Sequence, residues 1–275
     1  EDRLAIVADL SALLRMGDLP AGDALALVPA LMKTPDRHTV GLVGNLLGLI
    51  EPLVPTAQRP AYLAFLRTLA GPTARALGFQ PQGKKNEDED TRLLRPALVS
   101  LAVAGEDPRF LAEARRLAGA WLTDRGAVDT ETLDLVLTAA ARRGDLALFQ
   151  RLREAAAREP ERRTRRRLYG AMGAFLDPEA AAAARHLLLS EDIDLRDAMG
   201  LIGGQMEPRE TREAAYAFLK EHREALLRRL PRDSASMMAR MAAGSFCSVE
   251  HGQDLEATFG PAAAKATGGP RVLAQ

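Results

Sequence analysis

The chain has 275 residues, of which 47% are hydrophobic and only 4% are aromatic, and its 37 basic residues balance 37 acidic ones. The absence of net charge argues against a nucleic-acid or anionic-membrane partner. Abundant alanine, leucine and arginine favour helices over strands. The single cysteine, Cys247, excludes an internal disulfide and agrees with a reducing compartment, so we expect a cytoplasmic protein, with a cysteine-poor exported protein as the alternative.

The first part of the chain has apolar residues at helical spacing, with glycine or proline at the breaks. Three glycines at intervals of three and four residues, Gly41, Gly44 and Gly48, predict close packing against a neighbouring helix. Residues 80–91 are polar and predict a solvated loop, whose acidic run lacks the spaced ligands of a calcium site. We therefore predict helices over residues 2–15, 21–32, 39–50 and 57–77.

Acidic residues recur near predicted helix starts in the second half of the chain, separated by 38, 32 and 30 residues. Each can accept amide hydrogens at a helix N-terminus. The residues seven positions later are small or apolar and are predicted to face the core. The acids are Asp107, Asp145, Asp177 and Glu207, and the later residues are Ala114, Leu152, Ala184 and Ala214.

Further helices are predicted over 130–143, 162–176, 192–206 and 233–246, between the capped ones. One helix pair cannot bury its apolar side alone, whereas stacked pairs share a continuous core. We therefore predict an all-α superhelical array of antiparallel helix pairs, of armadillo or HEAT type, with about fourteen helices in a single domain over residues 1–275. Because the chain begins at Glu1 rather than at methionine, we expect a piece of a longer protein.

Residues 190–231 show one such pair in full. A turn is predicted at Gly203, Gly204, Glu207 and Pro208, with Pro208 opening the second helix because proline suits the first helical turn. That helix places His222 along its apolar side, where we expect a core or half-buried histidine.

Motifs for catalysis are missing from the sequence. The four histidines lack the spacing of a zinc-peptidase helix, and neither a GxSxG elbow nor a phosphate loop occurs. Cys247 and His251, four residues apart, could form a thiolate nucleophile, although a buried thiol is favoured. The C-terminal run GPAAAKATGGP predicts a loose tail.

Five arginines lie within residues 162–167, the densest charge run in the chain. No aromatic residue is interleaved for base stacking. We interpret the run as a solvated and partly paired helix start. In the alternative, some of its arginines face the concave side of the array and attract carboxylates such as a peptide C-terminus.

Four stretches resemble the C-terminal helical domain of the M1 family of zinc aminopeptidases, of the puromycin-sensitive, endoplasmic-reticulum and aminopeptidase N type. Tyr216 and His222 depart from that family's frequent tryptophan and asparagine, and both departures look structural. The stretches are ARHLLLSEDIDLRDAMGLIGGQMEPRETREAAYAFLKEHREALLRRLP (184–231), MMARMAAGSFCSVE (237–250), RLAIVADLSALLRMGDLP (3–20) and ALGFQPQGKKNEDEDTRLLRPALVSLAVAGEDPRFLAEARRL (76–117).

This resemblance implies a non-catalytic helical bowl that closes over an active site and helps to bind or size-select peptides. The family's GxMEN loop, HExxH helix and zinc belong to a catalytic domain that precedes it, so no catalytic or metal-binding residue and no cofactor is assigned to this chain. The implied partners are that catalytic domain, within the same polypeptide, and the peptide substrate. Cations on the second helix of each pair are the candidate contacts for substrate carboxylates: Arg142, Arg166, Arg196 and Arg240.

Two other functions stay open on the sequence alone. Helical-repeat proteins commonly bind a protein partner through their concave face, so a stand-alone interaction scaffold is the main alternative. A hydrolase that uses Cys247 is a weaker third hypothesis. The preferred substrate residue, the peptide length and the oligomeric state are not encoded in these patterns.

Overall fold

The described part of the chain is helical and contains no strand. The computed structural model describes residues 2–81, 87–231, 233–243, 246, 248–266 and 271. These residues form fifteen α-helices and two short 3-10 helices, over 51–53 and 56–58, which confirms the prediction of an all-α protein with about fourteen helices. None of these helices is both long enough and apolar enough to cross a membrane.

The chain divides into two compact units, residues 1–117 with 126–136 and residues 118–125 with 137–275. The superhelical stacking of the pairs and the single domain over residues 1–275 stay predictions. Helices of the first unit are α1 (Asp2–Met16), α2 (Ala21–Leu31), α3 (Arg37–Ile50), α4 (Arg59–Leu77) and α5 (Glu89–Ala104). Two helices, α6 (Pro108–Thr123) and α7 (Leu133–Arg142), contribute residues to both units.

The second unit contains the helices that carry most of the predicted site residues. Its core includes Phe149, Phe175 and Leu219, all of which are buried. Its helices are α8 (Leu146–Arg158), α9 (Arg162–Met172), α10 (Pro178–Leu187), α11 (Leu195–Ala198), α12 (Gly200–Met206), α13 (Arg212–Arg229), α14 (Ser234–Ala243) and α15 (Val249–Ala263).

Three of the four predicted acidic caps are confirmed. Asp145 accepts a hydrogen bond from the Leu148 amide at 2.9 Å, and Asp177 accepts one from the Ala180 amide at 2.9 Å. Asp107 accepts the Arg109 amide at 3.0 Å, just before α6. The core positions seven residues later, Ala114, Leu152 and Ala184, are buried as predicted.

The prediction of a fourth cap, at Glu207, is wrong, and so is the predicted turn around it. Gly203 and Gly204 lie inside α12, and α13 begins only at Arg212. Pro208 instead accepts the Thr211 amide through its carbonyl at 3.1 Å, which closes a turn before the helix. Because Glu207 lies before α13, the seven-residue count from it does not mark the buried face of that helix, and Ala214 is exposed.

The predicted ends of the polar loop and of the C-terminal tail are corrected. Asp88 caps α5 by accepting the Thr91 amide at 2.8 Å, so the helix starts within the acidic run. Residues 82–86 lie outside the described residues. Of the run expected to be a loose tail, residues 260–263 belong to α15, in which Phe259 and Ala263 are buried, and residues 267–270 lie outside the described residues.

Close approach of backbones occurs at glycines other than the predicted ones. A Cβ added to Gly41, Gly44 or Gly48 would meet nothing within 4 Å, so the predicted close packing there is wrong. At Gly173, just after α9, an added Cβ would lie 2.4 Å from the Gly200 carbonyl oxygen. The end of α9 therefore packs backbone to backbone on the start of α12.

Candidate arginine-lined binding cleft

The arginine run of 162–167 forms the first turns of α9. Glu161 caps this helix, accepting the amides of Arg163 at 2.9 Å and Thr164 at 2.6 Å. The side-chain hydrogen bond from Thr164, followed by these amide hydrogen bonds, lowers the pKa of the Glu161 carboxyl. The predicted solvated and partly paired helix start is confirmed, with Arg162, Arg163 and Arg166 exposed.

Two arginines of this run pair with Asp197 of α11, whose side chain is 1% exposed. Arg162 Nε donates to Oδ1 at 2.7 Å, and Arg165 Nη2 donates to Oδ2 at 3.0 Å. Burial raises the pKa of Asp197, but the hydrogen bonds from the two guanidinium groups more than offset it, so the pKa lies below its usual range. Asp197 therefore holds a negative charge that fastens α9 to α11.

Asp194 caps α11 and holds Arg196 at the same time. Its Oδ1 accepts the Arg196 amide and Nε, each at 3.0 Å, and its Oδ2 accepts Nη2 at 2.6 Å. The side-chain hydrogen bonds from Arg196 lower the pKa of Asp194 to about 2. This two-pronged pairing fixes the Arg196 guanidinium at the mouth of a cleft.

The cleft has a volume of about 600 Å³ and opens between the segment before α12 and the C-terminal end of α13. Three arginines line it, together with two acidic residues and four apolar ones. The cationic lining therefore exceeds the anionic lining by one charge. The residues are Arg196, Arg228, Arg229, Glu191, Asp194, Ile193, Leu195, Leu230 and Pro231.

Arg229 builds one wall of the cleft rather than offering a free cation. Its Nη1 donates to the Leu188 carbonyl at 2.7 Å, and its Nη2 donates to the carbonyls of Ser190 at 2.7 Å and Ile193 at 3.1 Å. These three bonds satisfy carbonyls that follow α10 and hold the loop into α11 against α13. Removal of Arg229 would release the loop that carries Asp194.

Arg228 and Arg196 are both exposed in the cleft, and they differ in their partners. Within the described residues, no carboxylate pairs with its guanidinium, although Glu191 and Asp194 line the same cleft. Neither Arg228 nor Arg229 is among the contacts predicted from the sequence, which are one arginine for each predicted helix pair. Their signal was present in the doubled arginine of the last helical turn before Pro231, where cations suit the negative helix end.

Of the four predicted contact arginines, only Arg196 lines the cleft. Arg142 ends α7 and is half-buried, Arg166 is exposed on α9, and Arg240 is exposed on α14. All four belong to the second unit. Their role as substrate contacts stays a prediction.

The last helix, α15, is fastened to α13 by side chains. Tyr216, which is 7% exposed, donates its hydroxyl to Asp254 Oδ2 at 2.7 Å, and Lys220 Nζ donates to Oδ1 at 2.5 Å. Burial and the neighbouring carboxylate raise the pKa of Tyr216. The tyrosine that departs from the resembled family therefore has a structural partner, as expected.

The histidines considered for other chemistry pack against aromatic rings in the described part of the chain. The ring of His222 is half-buried as predicted, 4.6 Å from the Phe218 ring. His251 stacks on Phe246 with a ring separation of 3.6 Å. Cys247 lies outside the described residues. Among the residues that are described, no group of three or more histidine, cysteine or acidic side chains could hold a metal ion.

Comparison with known families decides what type of domain this is. The model of the ERAP1-like C-terminal domain family matches residues 1–275, the whole chain. The chain belongs to this family. An ERAP1-like C-terminal domain is an aminopeptidase accessory domain, and it associates with an N-terminal catalytic domain of the same polypeptide.

Proposed function

We propose that this ERAP1-like C-terminal domain caps the active site of an M1-type zinc aminopeptidase and helps to bind or size-select its peptide substrates. The observation that carries the proposal is the arginine-lined cleft of the second unit, in a domain whose family is that of aminopeptidase accessory domains. A peptide that extends away from a catalytic centre ends in a carboxylate, for which guanidinium groups are the preferred partners.

In this proposal Arg228 and Arg196 bind the distal end of the peptide. Arg228 supplies the charge that is not used within the described chain. Arg196 is held by Asp194, so it offers the remaining edge of its guanidinium group in a fixed orientation. Arg142, Arg166 and Arg240 are proposed as further contacts along the peptide. The apolar walls at Ile193 and Leu230 suit an aliphatic side chain beside the carboxylate.

Zinc belongs to the catalytic domain in this proposal. The described residues of this chain contain no cluster suited to a metal ion, so we assign them neither a ligand nor a chemical step. Their contribution is to position one end of the peptide and to limit which lengths reach the reacting bond. Such contacts raise the rate for a long substrate through binding energy remote from the chemistry.

The test is charge reversal of Arg142, Arg166, Arg196 and Arg240, one at a time, in the complete enzyme. The kcat/KM for a long peptide should fall by about tenfold where a carboxylate contact is lost, whereas a dipeptide-like substrate should be unaffected. Arg153→Glu is the matched control, because Arg153 is exposed on α8 of the same unit and lies outside the cleft. Equal losses on both substrates would contradict the proposal.

A further inference from the structure

The exposed side of α9 is an arginine surface made by Arg162, Arg163 and Arg166. Arg162 and Arg166 are one turn apart, and Arg163 and Arg166 are three residues apart, so all three point to the same side of the helix. The buried side of α9 is formed by Leu168, Tyr169 and Met172. Three guanidinium groups are therefore presented together to solvent.

This arrangement works against the stability of the helix. Cations near a helix N-terminus oppose the helix dipole, and like charges three or four residues apart repel each other. Glu161 and Asp197 compensate only in part, because Glu161 caps the backbone amides and Asp197 binds Arg162 and Arg165. A sequence chosen for folding alone would place fewer arginines here.

Two of the three cations form no salt bridge with a carboxylate among the described residues, although the charge of Arg163 helps to lower the pKa of Glu161. Among the described residues, no carboxylate forms a salt bridge with the guanidinium group of Arg163 or Arg166, and both side chains are exposed. Arg162 is 60% exposed although its Nε is bonded to Asp197, so its outer nitrogens also face solvent. The N-terminus of α9 is not the binding group here, because the amides of its first turn already donate hydrogen bonds to Glu161.

We infer that the arginine surface of α9 docks an acidic polypeptide segment, and of its three arginines only Arg166 is also among the contacts proposed for the peptide substrate. Guanidinium groups bind carboxylates through two parallel hydrogen bonds, and acidic side chains at helical or alternating strand spacing match three arginines within one turn and a half. A nucleic acid fits less well, because the exposed side of α9 carries no aromatic ring for base stacking.

The test is fluorescence anisotropy of a labelled twelve-residue polyglutamate peptide (about twelve carboxylates, a length chosen to span the surface) with the full polypeptide. We expect saturable binding that weakens with salt, and a loss of at least about tenfold in Arg163→Glu/Arg166→Glu. The control, Arg109→Glu/Arg116→Glu, makes the same change of charge at two exposed positions of α6 and should bind within about twofold of the unchanged chain.

Several results would overturn the inference: no saturable binding by the unchanged chain, equal losses in both double variants, or tighter binding of an oligouridylate of equal charge. If the glutamate variant loses its helical circular dichroism, Arg163→Gln/Arg166→Gln replaces it and should still weaken binding. Arg196→Glu separates the two proposals when the polyglutamate peptide is amidated at its C-terminus, because that probe has no terminal carboxylate for the cleft. The variant should then alter long-peptide turnover and leave polyglutamate binding unchanged.

Discussion

The α9–α12 region and the α13–α15 region both depend on one aspartate with two partners, yet they are built differently. In the first, Asp197 is 1% exposed and the backbones meet at Gly173 and Gly200. In the second, Asp254 is 39% exposed and the helices are joined through side chains. We therefore expect that removing the aspartate lowers the free energy of unfolding clearly in the first region and only slightly in the second.

The largest effect is expected from Gly173→Ala. Its Cβ would lie 2.4 Å from the Gly200 carbonyl oxygen and 2.8 Å from that of Leu201, and backbone cannot move aside as a side chain can. We expect a loss of about 3 kcal/mol in the free energy of unfolding, measured by urea denaturation. In the control, Gly203→Ala, the nearest atom is the Met241 Cε at 3.9 Å, and alanine should be neutral or slightly stabilising in α12. Similar losses in both variants would remove the basis of the comparison.

Asp197→Ala should lower the free energy of unfolding by about 2 kcal/mol, because it removes two charge-assisted hydrogen bonds and leaves Arg165 facing a small cavity. Arg162 is largely exposed and can be rehydrated, which keeps the loss below that of a fully buried pair. Urea denaturation measures the change. An unchanged unfolding free energy would mean that the α9–α11 tie is not structural.

The same aspartate predicts a pH dependence. The pKa of Asp197 is lowered in the folded chain, so its contribution to stability is complete above its ordinary pKa and is lost as the pH falls through the folded value. The difference in melting temperature between the unchanged chain and Asp197→Asn should therefore be constant from neutral pH to about pH 5 and shrink below about pH 4. A difference that grows on acidification would contradict this sign.

The smallest effect is expected from Asp254→Ala in the α13–α15 region. An exposed ion pair with Lys220 contributes little, so the loss should stay below about 1 kcal/mol. Tyr216→Phe tests the other partner, since it removes the hydroxyl bond to Asp254 and keeps the buried ring. If Asp254→Ala cost as much as Asp197→Ala, burial would not be what distinguishes the two regions.

Sequence patterns predict local features of this fold better than its long-range contacts. Helix periodicity and the caps Asp145 and Asp177 depend on residues within one or two turns, and both are confirmed. Whether a glycine contacts another backbone depends on the partner helix. The sequence around Gly173 therefore does not distinguish it from Gly41, although only Gly173 makes such a contact. The prediction that Glu207 caps a helix is wrong because a turn at Pro208 comes before α13. Residue spacing alone does not reveal that turn.

The candidate site was predicted only in part for the same reason. Arg196 was chosen as a cation on a second helix, and it does line the cleft. The pairing of Asp197 with Arg162 and Arg165 spans more than thirty residues (35 and 32) of sequence, so it could not be predicted from spacing. Arg228 lines the cleft because Arg229, the next residue of α13, holds the loop before α11 beside the end of that helix, a contact between distant parts of the sequence.

The central claim is that the arginine-lined cleft binds the far end of a peptide substrate through its carboxylate. The most direct measurement is the ratio of kcat/KM for a long peptide as its free acid and as its C-terminal amide, in the complete enzyme. The account predicts that the unchanged enzyme favours the acid and that Arg196→Glu/Arg228→Glu loses this preference, with dipeptide-like substrates unaffected. An acid-to-amide ratio that is the same in both enzymes would contradict it.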